Sequence, residues 1–190
     1  NRFLDDLIIA AATGNSIAVD AADATSNVAI GSAQQIAAGS VGLTFEKVLQ
    51  TSRIMNEGDV PQGDRYFAVS PQGIEDLLQE TEVTSSDFNQ RMAPKTGTLQ
   101  GPYMGCTWIM TTRLAVASLT RTCIAWHRDG LGLAIGLEIE IDIARRKDLN
   151  NAWQVHALVS AGATRVEEAR VVQVDITEVS PRTEKGGNHT

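Results

Sequence analysis

Aromatic residues are scarce in this 190-residue chain, where Phe, Tyr and Trp together make up 5%. Cysteine is limited to Cys106 and Cys123, with no C-x-x-C pair and no Cys/His cluster beside them. A zinc site of the usual spacing and a disulfide-dense scaffold are thereby excluded, and both thiols, in apolar strand-like context, read as buried and free. Basic charge is in deficit, with 16 Lys and Arg against 23 Asp and Glu and a net charge of −7. A dedicated nucleic-acid grip needs clustered Lys and Arg. The one basic run is Arg145-Arg146-Lys147, which reads as a solvated strand end or turn, with a weak polyanion contact as the minor alternative. No apolar run reaches the roughly 18 residues of a membrane span, and no secretory signal is visible.

What is present is ordinary globular material: 43% hydrophobic residues, much of it Ala, Val and Ile. The length suits one domain, or two small ones sharing a core.

The apolar spacing of Phe3, Leu4, Leu7 and Ile8 predicts an amphipathic helix over 1–12, with Asp5 and Asp6 facing away. Residues 16–41 are weakly patterned, with short strands at Ile17–Val19 and Val28–Ile30 or helical turns near Ala33. Thr44 is a good N-cap for a helix over 44–57, with Phe45, Val48, Leu49, Ser52, Ile54 and Met55 as its buried stripe and Gly58 suited to a left-handed cap. Tyr66 to Val69 predicts a strand buried on both faces, and Ser70-Pro71 opens a second helix whose core face is Ile74, Leu77 and Leu78. Thr84 to Asp87 starts a further turn of helix or a loop, and 90–101 predicts an exposed loop.

From Tyr103 onward strands dominate. Met104 to Thr111 and Thr122 to Trp126 are expected strands, and Leu131 to Ile135 is a third run or a short helix. Leu137 to Ile143 alternates strictly, predicting Leu137, Ile139, Ile141 and Ile143 inside and Glu138, Glu140 and Asp142 outside. Trp153 to Ser160 and Val171 to Ile176 complete an α+β chain that ends in a polar tail over 181–190.

No constellation carries a catalytic signature. His127 beside Asp129 is a general-base candidate, but G-x-S-x-G is absent and a structural or interface histidine at a strand end is the better reading. Gly130, Gly132 and Gly136 do not form the dinucleotide fingerprint and have no Walker lysine, so no cofactor is expected and close backbone packing accounts for them. The carboxylates of Glu138, Glu140 and Asp142 read as a solvated face, or as one that meets a neighbour's basic residues. His156 reads as a satisfied or interface side chain, and His189 falls in the tail.

Five segments in order carry a resemblance over about three quarters of the chain. They are FLDDLIIAAA, LTFEKVLQTSRIMNEGDVPQGDRYFAVSP, GPYMGCTWIMTTRL, CIAWHRDGLGLAIG and NAWQVHALVSAGATRVEEARVVQV. In order and spacing they resemble the major capsid proteins of tailed bacteriophages. In the last segment, Gly162-Ala163 looks like a turn between two strands. The resemblance implies the Hong Kong 97-like capsid fold, with a peripheral domain of long spine helix and sheet, an axial domain, and an N-terminal arm and extended loop expected upstream of Asn1. Residues 1–101 and 144–180 would be mainly peripheral, with the spine-type helix at 44–57, and 102–143 mainly axial, flexible between Leu114 and Arg121.

The function so implied is self-assembly into hexamers and pentamers of an icosahedral shell around a phage genome, in the virion and, during assembly, the host cytoplasm. Implied partners are other copies, scaffold, portal and decoration proteins, and weakly held double-stranded DNA, with no membrane. Candidate subunit-interface residues are Arg128, Asp129, Glu138, Glu140, Asp142, Arg145 and Arg146, with no catalytic, metal or cofactor residue. The rivals are an encapsulin-like nanocompartment shell, a small hydrolase using His127, and a monomeric interaction domain.

Overall fold

A computed structural model describes residues 2–14, 16–19, 25–80, 102–149 and 151–178. The turn expected at 84–87, the loop at 90–101 and the tail at 181–190, with His189, lie outside the described residues. In chain order the elements are α1 (Arg2–Thr13), β1 (Ser16–Val19), β2 (Thr25–Val28), β3 (Gln35–Ile36), α2 (Phe45–Glu57), β4 (Arg65–Val69), α3 (Pro71–Gln79), β5 (Pro102–Tyr103), β6 (Cys106–Met110), β7 (Val116–Ala117), β8 (Thr120–His127), β9 (Leu131–Arg146), β10 (Ala152–Arg165) and β11 (Val171–Thr177). This is the α+β class expected.

The body of the chain is a mixed sheet ordered β3-β11-β8-β4-β6-β5, with β7 paired to β8. β4 sits near its middle, antiparallel to β8 and parallel to β6. Phe67 and Val69 are fully buried and Ala68 nearly so, as a near-continuous apolar run in a central strand requires. The Phe67 ring stacks on Trp108 at 4.5 Å. Val171, Val172, Val174 and Ile176 of β11 and Cys123 to Ala125 of β8 complete the core. Burial pushes the Cys123 thiol up to about 12.

Two helices cover this sheet, each started by its cap. Ser70 Oγ accepts the Gly73 N–H at 3.0 Å, and Pro71 occupies the first helical position of α3. Gly73 lets α3 approach closely, since a β-carbon there would stand 2.8 Å from Val69 Cγ2. Thr44 Oγ1 accepts the Lys47 N–H at the start of α2.

The buried stripe of α2 differs from the expected one. Lys47, Val48, Thr51 and Met55 are buried, whereas Leu49 is 43% exposed. Lys47 displaces apolar residues because its ammonium donates to the carbonyls of Ala38 (2.8 Å), Val41 (3.2 Å), Gly42 (3.1 Å) and Asp175 (3.0 Å). That cage ties α2 to the preceding loop and to β11. Desolvation still holds the amine below the usual lysine range. Gly58 has φ −84°, so it is not a left-handed cap; Asp59 takes that conformation one residue later, at φ 53°. The stretch 114–121 holds the β7–β8 turn, where Arg121 donates to Glu178 at 2.7 Å and to the Leu114 carbonyl at 3.2 Å.

Two further corrections concern the late strands. Leu131 to Ile135 and Leu137 to Ile143 are one 16-residue strand, not two runs. Gly162-Ala163 is not a turn: β10 continues through it to Arg165, and the chain reverses over 166–170 instead.

Candidate subunit interface

β9 and β10 pair only with each other among the described residues, as an antiparallel arm projecting from the body. At about 3.4 Å per residue its longer strand extends roughly 50 Å. Arg145 lies opposite Trp153, Ile143 opposite Val155, and Ile141 opposite Ala157. Opposed residues of an antiparallel pair project to the same side, so these six share one face. Asp142 and His156 oppose one another on the reverse face, as do Arg146 and Ala152. Nearer the body, β9 has one residue more than β10 between Glu140 and Leu137, and again between Leu137 and Ile135. These two bulges return the apolar residues of both strands to one side, where Ile135 meets Ala161 and Leu133 meets Ala163.

The base of that apolar face is covered by α1. Arg165, with its side chain buried, donates to the carbonyls of Ala12 (3.3 Å) and Gly14 (2.8 Å) at the end of α1 and of Val28 (3.0 Å) on β2. Phe3 and Leu4 of α1 meet Ile135, Glu138, Ile139 and Val159 around a shallow recess of about 390 Å³. Beyond that recess the face is bare. Ile141 and Ile143 are 62% and 60% exposed, Trp153 65% and Val155 67%. The expectation that Leu137, Ile139, Ile141 and Ile143 lie inside is therefore corrected: the alternation is real, but the described chain supplies nothing to cover its outer half.

The sequence-derived interface residues fall into two groups. Glu138, Glu140, Asp142, Arg145 and Arg146 line β9 and are all exposed. The Arg145 guanidinium stands 4.5 Å over the Trp153 ring, a cation–π contact. Arg146 is paired with Asp148 across the tip, and this hydrogen bond holds the Asp148 carboxyl below the usual range. Arg128 and Asp129 lie far from these, in the turn between β8 and β9. There the Arg128 N–H donates to the Asp64 carbonyl, and Asp129 accepts from Arg170 at 3.3 Å. Nearby Gly130 passes so close to Arg170 that a β-carbon would stand 2.8 Å from that residue's β-carbon. This turn links β8 to β9 outside the arm, and the side chains of Arg128 and Asp129 are exposed on it.

His127 is 5% exposed, and its Nδ1 accepts the Asp129 N–H at 3.2 Å. Among the described residues no three His, Cys, Asp or Glu side chains gather into a metal site, and no helix is long and apolar enough to cross a membrane. Sequence reasoning missed Trp153 and Val155. Their signal was the alternation of Trp153, Val155, Ala157, Val159, Ala161 and Ala163, which matches the β9 pattern across the hairpin.

Comparison with solved structures gives the same architecture. A protein of Mycobacterium phage Che8 superposes with TM-score 0.64 at 16% identity, over 91% of this chain and 56% of that one. The capsid asymmetric unit of cyanophage Pam1 matches with TM-score 0.65 at 13% identity, over 95% and 66%. An encapsulin complex of Synechococcus elongatus matches with TM-score 0.57 at 11% identity, over 80% and 57%. The chain thus spans little more than half the length of the Che8 and encapsulin chains, and about two thirds of the Pam1 chain. The fold is the Hong Kong 97 type seen in tailed-phage capsids. No curated protein matches the sequence. Residues 1–178 match the family described as phage capsid protein, and on that match this chain belongs to the phage capsid protein family.

Proposed function

We propose that this chain is the shell-forming part of a major capsid protein, which associates with its own copies into hexamers and pentamers of an icosahedral phage shell. The family membership supports a structural role, and the bare arm carries the reading. A chain that leaves Ile141, Ile143, Trp153 and Val155 in water has a surface that needs a partner. Closed shells need several such surfaces per subunit, each weak alone and strong in number. The sheet body would then be the rigid tile and the arm its reach toward neighbours. Scaffold, portal and decoration proteins, a weak contact with packaged DNA, and assembly in the host cytoplasm belong to the same reading. No catalytic role is assigned to His127.

Negative-stain microscopy with sedimentation of the full-length protein tests this. Rings or closed shells are expected, and a monomer at every concentration rejects it. The encapsulin neighbour supplies a second reading on the same fold. Shells that hold a cargo protein in place of nucleic acid would favour that one.

A further inference from the structure

Resting on the shell reading, the arm also specifies how one copy meets the next. β9 carries its charges in two blocks: Glu138, Glu140 and Asp142 along its middle, then Arg145 and Arg146 at its end with Lys147 just beyond. β10 has no Asp, Glu or Lys, and its one Arg, Arg165, is buried at the base. Among the described residues the outer edge of β9 pairs with nothing. From Glu140 to Arg146 its register with β10 is regular. A flat strand edge of this kind offers a free row of N–H and C=O groups to another strand.

Such a strand discriminates between orientations. Laid parallel to its own copy, it would set acid beside acid and base beside base. Laid antiparallel, Glu140 of each copy can face Arg146 of the other, twice, about a two-fold axis. We propose that β9 pairs antiparallel with β9 of a second copy, joining two arms into one four-stranded sheet. The register that sets Arg146 opposite Glu140 puts Ile143 on the axis, opposite its counterpart, and Arg145 opposite Ile141. The Ile141 and Ile143 side chains of both copies then form one apolar patch, flanked at each end by Trp153 beneath Arg145. Glu140, Asp142, Arg146 and His156 lie on the reverse face. Arg146 would extend from its present partner Asp148 to Glu140 of the second copy.

Ile143→Cys in the full chain tests this, because Cys106 and Cys123 are buried and do not compete. Opposed positions in an antiparallel pair stand within disulfide reach. Under mild oxidation Ile143→Cys forms a disulfide-linked dimer, whereas Ile139→Cys and Val155→Cys do not. No link at position 143, or equal links at all three, overturns the pairing. In the charge arm, Arg146→Glu or Glu140→Arg alone lowers the dimer yield roughly tenfold or more, since like charges then face each other. The double reversal restores it. A double variant as defective as Arg146→Glu alone overturns the pairing and assigns the basic block to a polyanion or another surface. Shells that assemble while Ile143→Cys stays unlinked overturn this contact and leave the shell reading standing. A chain monomeric throughout overturns both.

Discussion

Two strands of this chain carry nearly the same pattern and meet opposite fates. In β11, Val174-Asp175-Ile176 buries both apolar residues completely. In β9, Ile141-Asp142-Ile143 leaves its isoleucines 62% and 60% exposed. Alternation therefore sets which residues share a face, not what covers it. β11 lies between β8 and β3 with α2 and α3 against it, where Ile176 touches the space above Gly73. Among the described residues β9 has one neighbouring strand, and α1 reaches its base. The body is a core closed by its own elements, and the outer half of the arm has no cover among the described residues.

The largest expected effect breaks the body. Phe67→Ala removes a fully buried ring stacked on Trp108 and should cost about 3–5 kcal/mol in denaturant unfolding. The loss should open access to Cys123, which is fully buried in the native body, and so speed its labelling by a thiol reagent. A Phe67→Ala chain with unchanged midpoint and protected Cys123 would show the sheet is not the stable unit.

Lys47→Met comes next. Without its ammonium, the carbonyls of Ala38, Val41, Gly42 and Asp175 lose a shared donor, at about 1–3 kcal/mol. A variant as stable as the parent would mean water satisfies that cage.

Asp76 sharpens the same corner of the body through pH. Desolvation holds its carboxyl above the usual range despite a hydrogen bond from the Leu43 backbone. A raised folded value means the group's contribution is fully present below the ordinary aspartate pKa and is lost as pH rises through the folded one. Asp76→Asn should flatten that part of the stability–pH profile and be no less stable than the parent at neutral pH. An unchanged profile would rule out Asp76 as its source.

The smallest effect on folding belongs to the arm. Ile141→Lys should leave the unfolding midpoint within about 0.5 kcal/mol, as at an exposed position, and keep Cys123 protected. Self-association, read by sedimentation, should nevertheless fall. If Ile141→Lys destabilises as a core substitution would, the arm is folded onto the body in solution and the comparison fails.

Much of the body was legible in the sequence because its signals are local. Ser70-Pro71 and Thr44 start helices through bonds to backbone groups three residues on, and the apolar run of Phe67 to Val69 needs a central strand. Other features were not legible because their causes are distant in the chain. Lys47 is buried only because Asp175, 128 residues away, offers a carbonyl. Leu49 is left outside because Lys47 takes the inward position. Gly162 sits within a strand, where no turn signal reveals that β9 pairs with it through Ala134.

The interface candidates divide in the same way. Their charges and period were visible, so Glu138, Glu140 and Asp142 could be assigned to one strand, whereas only the structure extends that strand through Arg145 and Arg146. That Asp129 meets Arg170 and the Arg128 backbone meets Asp64 depended on partners far along the chain.

By itself, then, the sequence determined the α+β class, the capped helices, the period of the strands and the family resemblance, since these follow from near neighbours and residue order. Tertiary structure alone decided that one alternating strand closes a core while another stands out as an arm, because burial depends on which surfaces remain available once the rest of the chain has packed.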